Sequence, residues 1–140
     1  MAIPGNVELK LSNGAWHRSP ESQVEAALEE LGTSANSEFG SFYTKYWGPF
    51  RSEHTGMELL DIVEQAENVL TNTRAVRDEY SFPSRFVVVT SPSAGSVVVY
   101  DINTNNLYDV DFEGGDELLL SGKLAPRYTS WNDFISQYFG

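Results

Sequence analysis

The chain has no cysteine in its 140 residues. That excludes disulfide staples and thiolate metal sites, and it fits a reducing, cytoplasmic setting. Histidine is nearly as scarce, with only His17 and His54 available as neutral-pH bases or imidazole ligands. No apolar run approaches the roughly 20 residues a membrane helix needs. The opening MAIPGNVELK has no basic segment leading into an apolar core, so no secretory leader is expected. Basic residues are also few: nine Lys and Arg face twenty Asp and Glu, a formal net charge of -11. A field of that sign repels nucleic acid and anionic membrane, and it attracts and steers a basic protein.

The residues that are present suffice for one ordinary core. Hydrophobic residues make up 41% of the chain, and the length is that of a single domain covering 1–140. NVELKLSNGAW alternates Val7, Leu9 and Leu11 with polar residues before Asn13-Gly14, which predicts a short strand and a turn. RSPESQVEAALEELG predicts a helix with Ser19 as cap, Pro20 and Glu21 in the first turn, Val24, Leu28 and Leu31 inward, and Gly32 as its stop. SEFGSFYTKYW predicts a second helix capped by Ser37. Its Phe39, Phe42, Tyr43 and Tyr46 fall at i, i+3, i+4 and i+7 and form an aromatic core stripe that ends at Gly48-Pro49.

GMELLDI predicts a short strand. VEQAENVLTNTRAVRDEY predicts a third helix with Val63, Ala66, Val69, Leu70 and Val76 inward. SRFVVVT, SVVVYDI and LYDVDF predict three strands. The first two are almost continuously apolar, as strands covered by helices are, and NTNN joins the second and third as a hairpin. TSWNDFISQYF predicts a closing helix, capped by Ser130 or Thr129, with Trp131, Phe134, Ile135 and Tyr138 inward. Helices set apart from consecutive antiparallel strands give an α+β class.

Motifs for chemistry are thin. Ser52, Glu53 and His54 adjoin in sequence, but neighbours on a strand point to opposite faces and neighbours on a helix do not meet, so a small hydrolase built on Glu53 and His54 is a remote reading. DINTNNLYDVDF resembles a calcium loop through Asp101, Asn103 and Asn105. Its sixth position is Asn106 where such loops have Gly, and its twelfth is Phe112 where they have Glu; a hairpin explains the same asparagines. No phosphate-cradling loop exists, since Gly114 and Gly115 stand among acids. No catalytic residue, metal ligand or cofactor site is assigned. The remaining signal is the distribution of charge. From Asp101 to Glu117 the chain carries six acids and no base. Asp109 and Asp111 share one strand face, opposite Tyr108, Val110 and Phe112, and the acids continue through Glu113, Asp116 and Glu117 into an expected loop. These five acids, with Glu53, Glu58 and Trp47 from the stretch YWGPFRSEHTGMELLDI, are the candidate partner-binding residues.

The ordered set ALEELG, FGSFYTKYWGPF, MELLDI, RFVVVT, SVVVYDINTNNLYDVDF and SWNDFISQYF resembles the SUKH superfamily, the yeast cell-wall-regulator-like proteins widely found as bacterial immunity proteins. The likeness spans most of the chain from about Glu21 onward. TSANSEF stands where many members have a Leu-Pro step, and NVELKLSNGAWHR precedes the usual first helix. The resemblance implies a central, mostly antiparallel sheet flanked by helices. It also implies a non-enzymatic role: binding and neutralising a polymorphic or contact-dependent toxin, often a nuclease. Separately, a monomer or weak homodimer is expected, since Trp16, Trp47 and Trp131 suit a core or a self-association patch equally well. A regulatory or scaffold protein of the same superfamily is the alternative. An acidic surface suits either a basic toxin domain or another basic partner.

Overall fold

A computed structural model describes residues 3–19 and 23–140. Among them are six helices and two antiparallel sheets, an α+β arrangement. The first element corrects the sequence expectation: Gly5–Lys10 is a helix, α1, and not a strand. Val7 and Leu11 are buried while Leu9 is 77% exposed. An every-other-residue pattern of three apolar positions also contains an i, i+4 pair, and only burial of the middle residue separates strand from helix. α1 packs on the final helix, where Asn6 donates from Nδ2 to the Ser136 carbonyl at 2.9 Å. A short 3-10 turn, Gly14–Trp16, follows; Asn13 caps it by accepting from the Ala15 N–H.

α2 (Val24–Leu31) buries Val24, Ala27, Leu28 and Leu31, and it ends at Gly32 in the left-handed region. Its N-cap position is Gln23, so Ser19 does not cap it; Pro20 and Glu21 lie outside the described residues. α3 (Glu38–Lys45) starts as the sequence predicts, with Ser37 Oγ accepting from the Gly40 N–H at 2.9 Å. Gly40 has a steric reason: a Cβ there would lie 1.8 Å from the Ser34 carbonyl oxygen. Phe39, Phe42, Tyr43 and Tyr46 are all buried. They meet Phe50, Trp131, Phe134 and Phe139 in an aromatic core with ring centroids about 5 to 6 Å apart.

Behind the cis Gly48-Pro49 bond, β1 (Phe50–Arg51) pairs with β2 (Glu58–Leu59). α4 (Val69–Tyr80) begins at Val69 and not at Val63. Two local arrangements override helix propensity before it. Asp61 Oδ2 accepts from the Val63 and Glu64 N–H groups, and Gln65 sits at φ 71°. Asn68 and Thr71 then form a reciprocal capping box. β3 (Phe86–Val88), β4 (Ser96–Asp101) and β5 (Leu107–Asp111) form a sheet in that order. A bridge from Leu59 to Thr90 ties β2 to it. The hairpin between β4 and β5 places Asn105 at φ 66°, as the asparagines predict. Asp101 is buried there, held by Arg85 and by the Asn103 N–H. α5 (Gly115–Leu120) replaces the expected acidic loop, and α6 (Trp131–Phe139), capped by Ser130, closes the chain.

The sheet separates two cores, and strand alternation assigns each residue to one of them. Val87, Val89, Val98, Tyr100 and Leu107 face the aromatic core. Val88, Val97, Val99 and Val110 face a smaller one with Phe82, Phe86 and Leu119. Burial on both faces is why these strands read as continuous Val runs.

One buried polar hub organises the N-terminal half. Arg18 donates from Nε to the Tyr43 carbonyl (2.6 Å) and from Nη2 to the Tyr46 carbonyl (3.1 Å), and it also ion-pairs with Asp61. Asp61 accepts further from the Gly48, Val63 and Glu64 N–H groups. The guanidinium thus caps the carbonyl end of α3, where a cation is favoured.

Candidate functional site: an acidic corner and its groove

The structure divides the eight candidate residues into two groups. Glu53, Glu58 and Trp47 surround the first small sheet and the 3-10 turn. Glu53 pairs with Lys10 (3.1 Å), Glu58 with Arg51 (3.3 Å), and Trp47 donates from its indole N–H to the Ala15 carbonyl (2.6 Å). Their charges have basic partners at hand. Ser52, Glu53 and His54 also have separate roles: Ser52 Oγ donates to the Tyr138 carbonyl (2.7 Å) and accepts from the His54 backbone N–H (2.9 Å).

Asp109, Asp111, Glu113, Asp116 and Glu117 form the second group, where β5 turns into α5. Asp111 has a structural function. Its Oδ1 accepts from the Glu113 and Gly115 N–H groups at 3.0 and 3.1 Å, and those bonds hold its carboxyl below the usual carboxylate range. A Cβ on Gly115 would approach Asp111 Oδ2 to 2.9 Å, so a larger residue at this start to α5 would displace the Asp111 carboxylate. Asp109 has one distant partner, Arg127 Nε at 3.7 Å. Asp116 stands over the N–H of Gly114 at 3.4 Å. Glu113 and Glu117 are exposed, and among the described residues neither has an ion-pair partner. Beside these acids Leu118 is 45% and Leu120 43% exposed. The corner therefore offers unneutralised acid next to apolar surface, the composition of a docking rim.

Sequence reading missed what lies next to this corner. Along α4, Asn72, Ala75, Val76, Glu79 and Tyr80 recur at i, i+3, i+4, i+7 and i+8 and form one stripe. The stripe is one wall of a groove of about 350 Å³; Val88, Val97, Gly95, Pro92 and Phe112 complete it, with Glu67 at its edge. Asp116 of α5 acts on Tyr80 at the end of this groove, so the groove adjoins the α5 side of the acidic corner. Tyr80 stacks on Phe112 with centroids 4.3 Å apart and planes 26° apart. Desolvation, followed by the charges of Glu79 and Asp116, raises the Tyr80 hydroxyl pKa, which places acids of α4 and α5 around the same ring. The α4 arginines serve the other side. Arg74 holds Glu30, and Arg77 donates to the Ser84 and Phe86 carbonyls. Glu67 and Glu79 are the only charged residues lining the groove, among the described residues. The signal for this site was present in the 72/75/76/79/80 spacing, but the α4 residues read as facing inward were Val69, Leu70 and Val76.

No protein-family model matches the chain, and no curated protein matches it. Among the described residues no helix is long and apolar enough to cross a membrane.

Proposed function

We propose that the chain is a binding protein that neutralises a basic protein partner, in the manner of SUKH-type immunity proteins acting on a toxin domain. The observation that supports this reading is the concentration of unpaired acids at the β5–α5 corner, next to an apolar groove whose charged lining, among the described residues, is acidic. Nuclease domains are basic because they must bind phosphate backbones. An acidic inhibitor is steered onto such a surface by long-range attraction and covers it by contact. Glu53, Glu58 and Trp47 are secondary candidates, because both glutamates are already paired within the chain.

The test reverses Glu113, Asp116 and Glu117 to Lys together, leaving Asp111 to hold α5. Binding to candidate basic toxin domains from the chain's genomic neighbourhood is then measured by calorimetry at low and raised salt. The wild type is expected to lose affinity with salt, and the triple variant to lose affinity with a flatter salt dependence. Unchanged affinity in the variant would remove the corner from the interface.

A further inference from the structure

We infer that the groove between α4 and the β3–β5 sheet is a receptor for a single arginine side chain projecting from the basic partner. The inference rests on the binding role proposed above and names the chemistry of the contact. Three features of the groove fit arginine. Its walls, Ala75, Val76, Val88 and Val97, are apolar and match the three-carbon stem. One end is the stacked Tyr80–Phe112 pair, and a planar, weakly hydrated guanidinium packs on aromatic faces better than an ammonium does. Its charged lining residues, among those described, are the acids Glu67 and Glu79, and Asp116 acts on the same tyrosine. A carboxylate there can take the guanidinium fork in paired hydrogen bonds. A carboxylate-bearing or phosphate-bearing ligand would meet like charge, and a purely apolar side chain would leave the acids without a partner.

The other candidates carry less. The Arg18–Asp61 hub is closed to solvent, with side chains 1% and 0% exposed. The recess by Arg85 and Asp101 is occupied by its own ion pair.

The experiment titrates the full chain, isotopically labelled, with three capped pentapeptides, Gly-Gly-Xaa-Gly-Gly, in which Xaa is arginine, lysine or the uncharged isostere citrulline. Amide shifts are followed by NMR. The arginine peptide is expected to give saturable shifts at Val76, Glu79, Tyr80, Val97 and Phe112. Lysine should bind more weakly and citrulline about tenfold more weakly than arginine, the usual scale of one desolvated cation–aromatic and carboxylate contact. Ala75→Trp, which fills the mouth of the groove, and the isosteric Glu79→Gln should each abolish or weaken the shifts while the rest of the spectrum stays folded. Equal binding of arginine and citrulline, or of arginine and lysine, would overturn the assignment. So would the absence of saturable shifts, or shifts confined to Glu113 and Glu117 that Ala75→Trp leaves intact. That last outcome would spare the broader binding role, which fails only if the corner reversal leaves partner affinity unchanged.

Discussion

The Arg18–Asp61 hub gives a sharp energetic prediction, because its two halves are not equivalent. Replacing Arg18 by Met leaves Asp61 with three backbone donors, from Gly48, Val63 and Glu64. Those bonds still solvate the carboxylate, and the main losses are its cation and the cap on the Tyr43 and Tyr46 carbonyls. A cost of about 2–3 kcal/mol follows for a buried partner removed while its mate stays hydrogen-bonded. Replacing Asp61 by Leu is worse. It strands a fully buried guanidinium whose Nη1 has no partner among the described residues, and it orphans three N–H groups at the same time. At roughly 1 kcal/mol per lost acceptor on top of the unpaired charge, about 4–5 kcal/mol is expected. For a chain of this length total stability is on the order of 7–15 kcal/mol, so the Asp61 variant should remain foldable but visibly weak. Urea unfolding followed by tryptophan fluorescence measures both variants; buried Trp131 is a native-state probe. The reasoning is refuted if both variants cost less than about 1 kcal/mol, or if Arg18→Met proves the more damaging of the two.

Gly40→Ala should destabilise by about 2 kcal/mol or more, read as a fall in melting temperature, because its Cβ would meet a backbone carbonyl that cannot rotate away. Asp111 has a depressed folded pKa, so its contribution is present above the unfolded value near 3.9 and is lost as pH falls through the lower folded value. The Glu113 and Gly115 amide shifts should titrate below about pH 4, and a midpoint at or above that value would contradict the hydrogen bonds assigned to Asp111. Burial pushes the Tyr138 hydroxyl up to about 12 and raises that of Tyr43. These groups stabilise the fold below the ordinary tyrosine value near 10, and that stability drains away as pH rises toward the folded values. Alkaline unfolding should therefore be steep above about pH 10, and Tyr138→Phe should make it shallower while costing about 1 kcal/mol at neutral pH for the bond from the Leu59 N–H. A Tyr138→Phe chain with an unchanged alkaline profile would contradict this.

Much of the fold is legible in short-range patterns. Ser37 three residues before Gly40, the aromatic stripe from Phe39 to Tyr46, the Val runs of the strands and the Asn-rich hairpin all act through neighbours along the chain, so local reading reaches them. The misses have physical causes. Val7, Leu9 and Leu11 fit two periods, and docking on α6 decided for the helix. Val63 to Glu67 has helical character that Asp61 overrides by taking the Val63 and Glu64 amides. The charges of GGDELLL suggest a loop, but Asp111 anchors Gly115 and lets a short helix form. Arg18 and Asp61 are 43 residues apart, and no local pattern joins them. The same limit hid the groove: Tyr80 and Phe112 meet only because α4 and the end of β5 lie on the same face of the sheet.

The most direct test of the binding role is growth rescue. Basic toxin domains taken from the genomic neighbourhood of this chain are each expressed with the wild type, with the Glu113→Lys/Asp116→Lys/Glu117→Lys variant, and with Arg51→Ala as a surface control. Wild type and control should restore growth and the triple variant should fail while remaining folded. Rescue by the triple variant equal to that of the wild type would contradict the assignment of the acidic corner, and no rescue by the wild type would contradict the neutralising role itself.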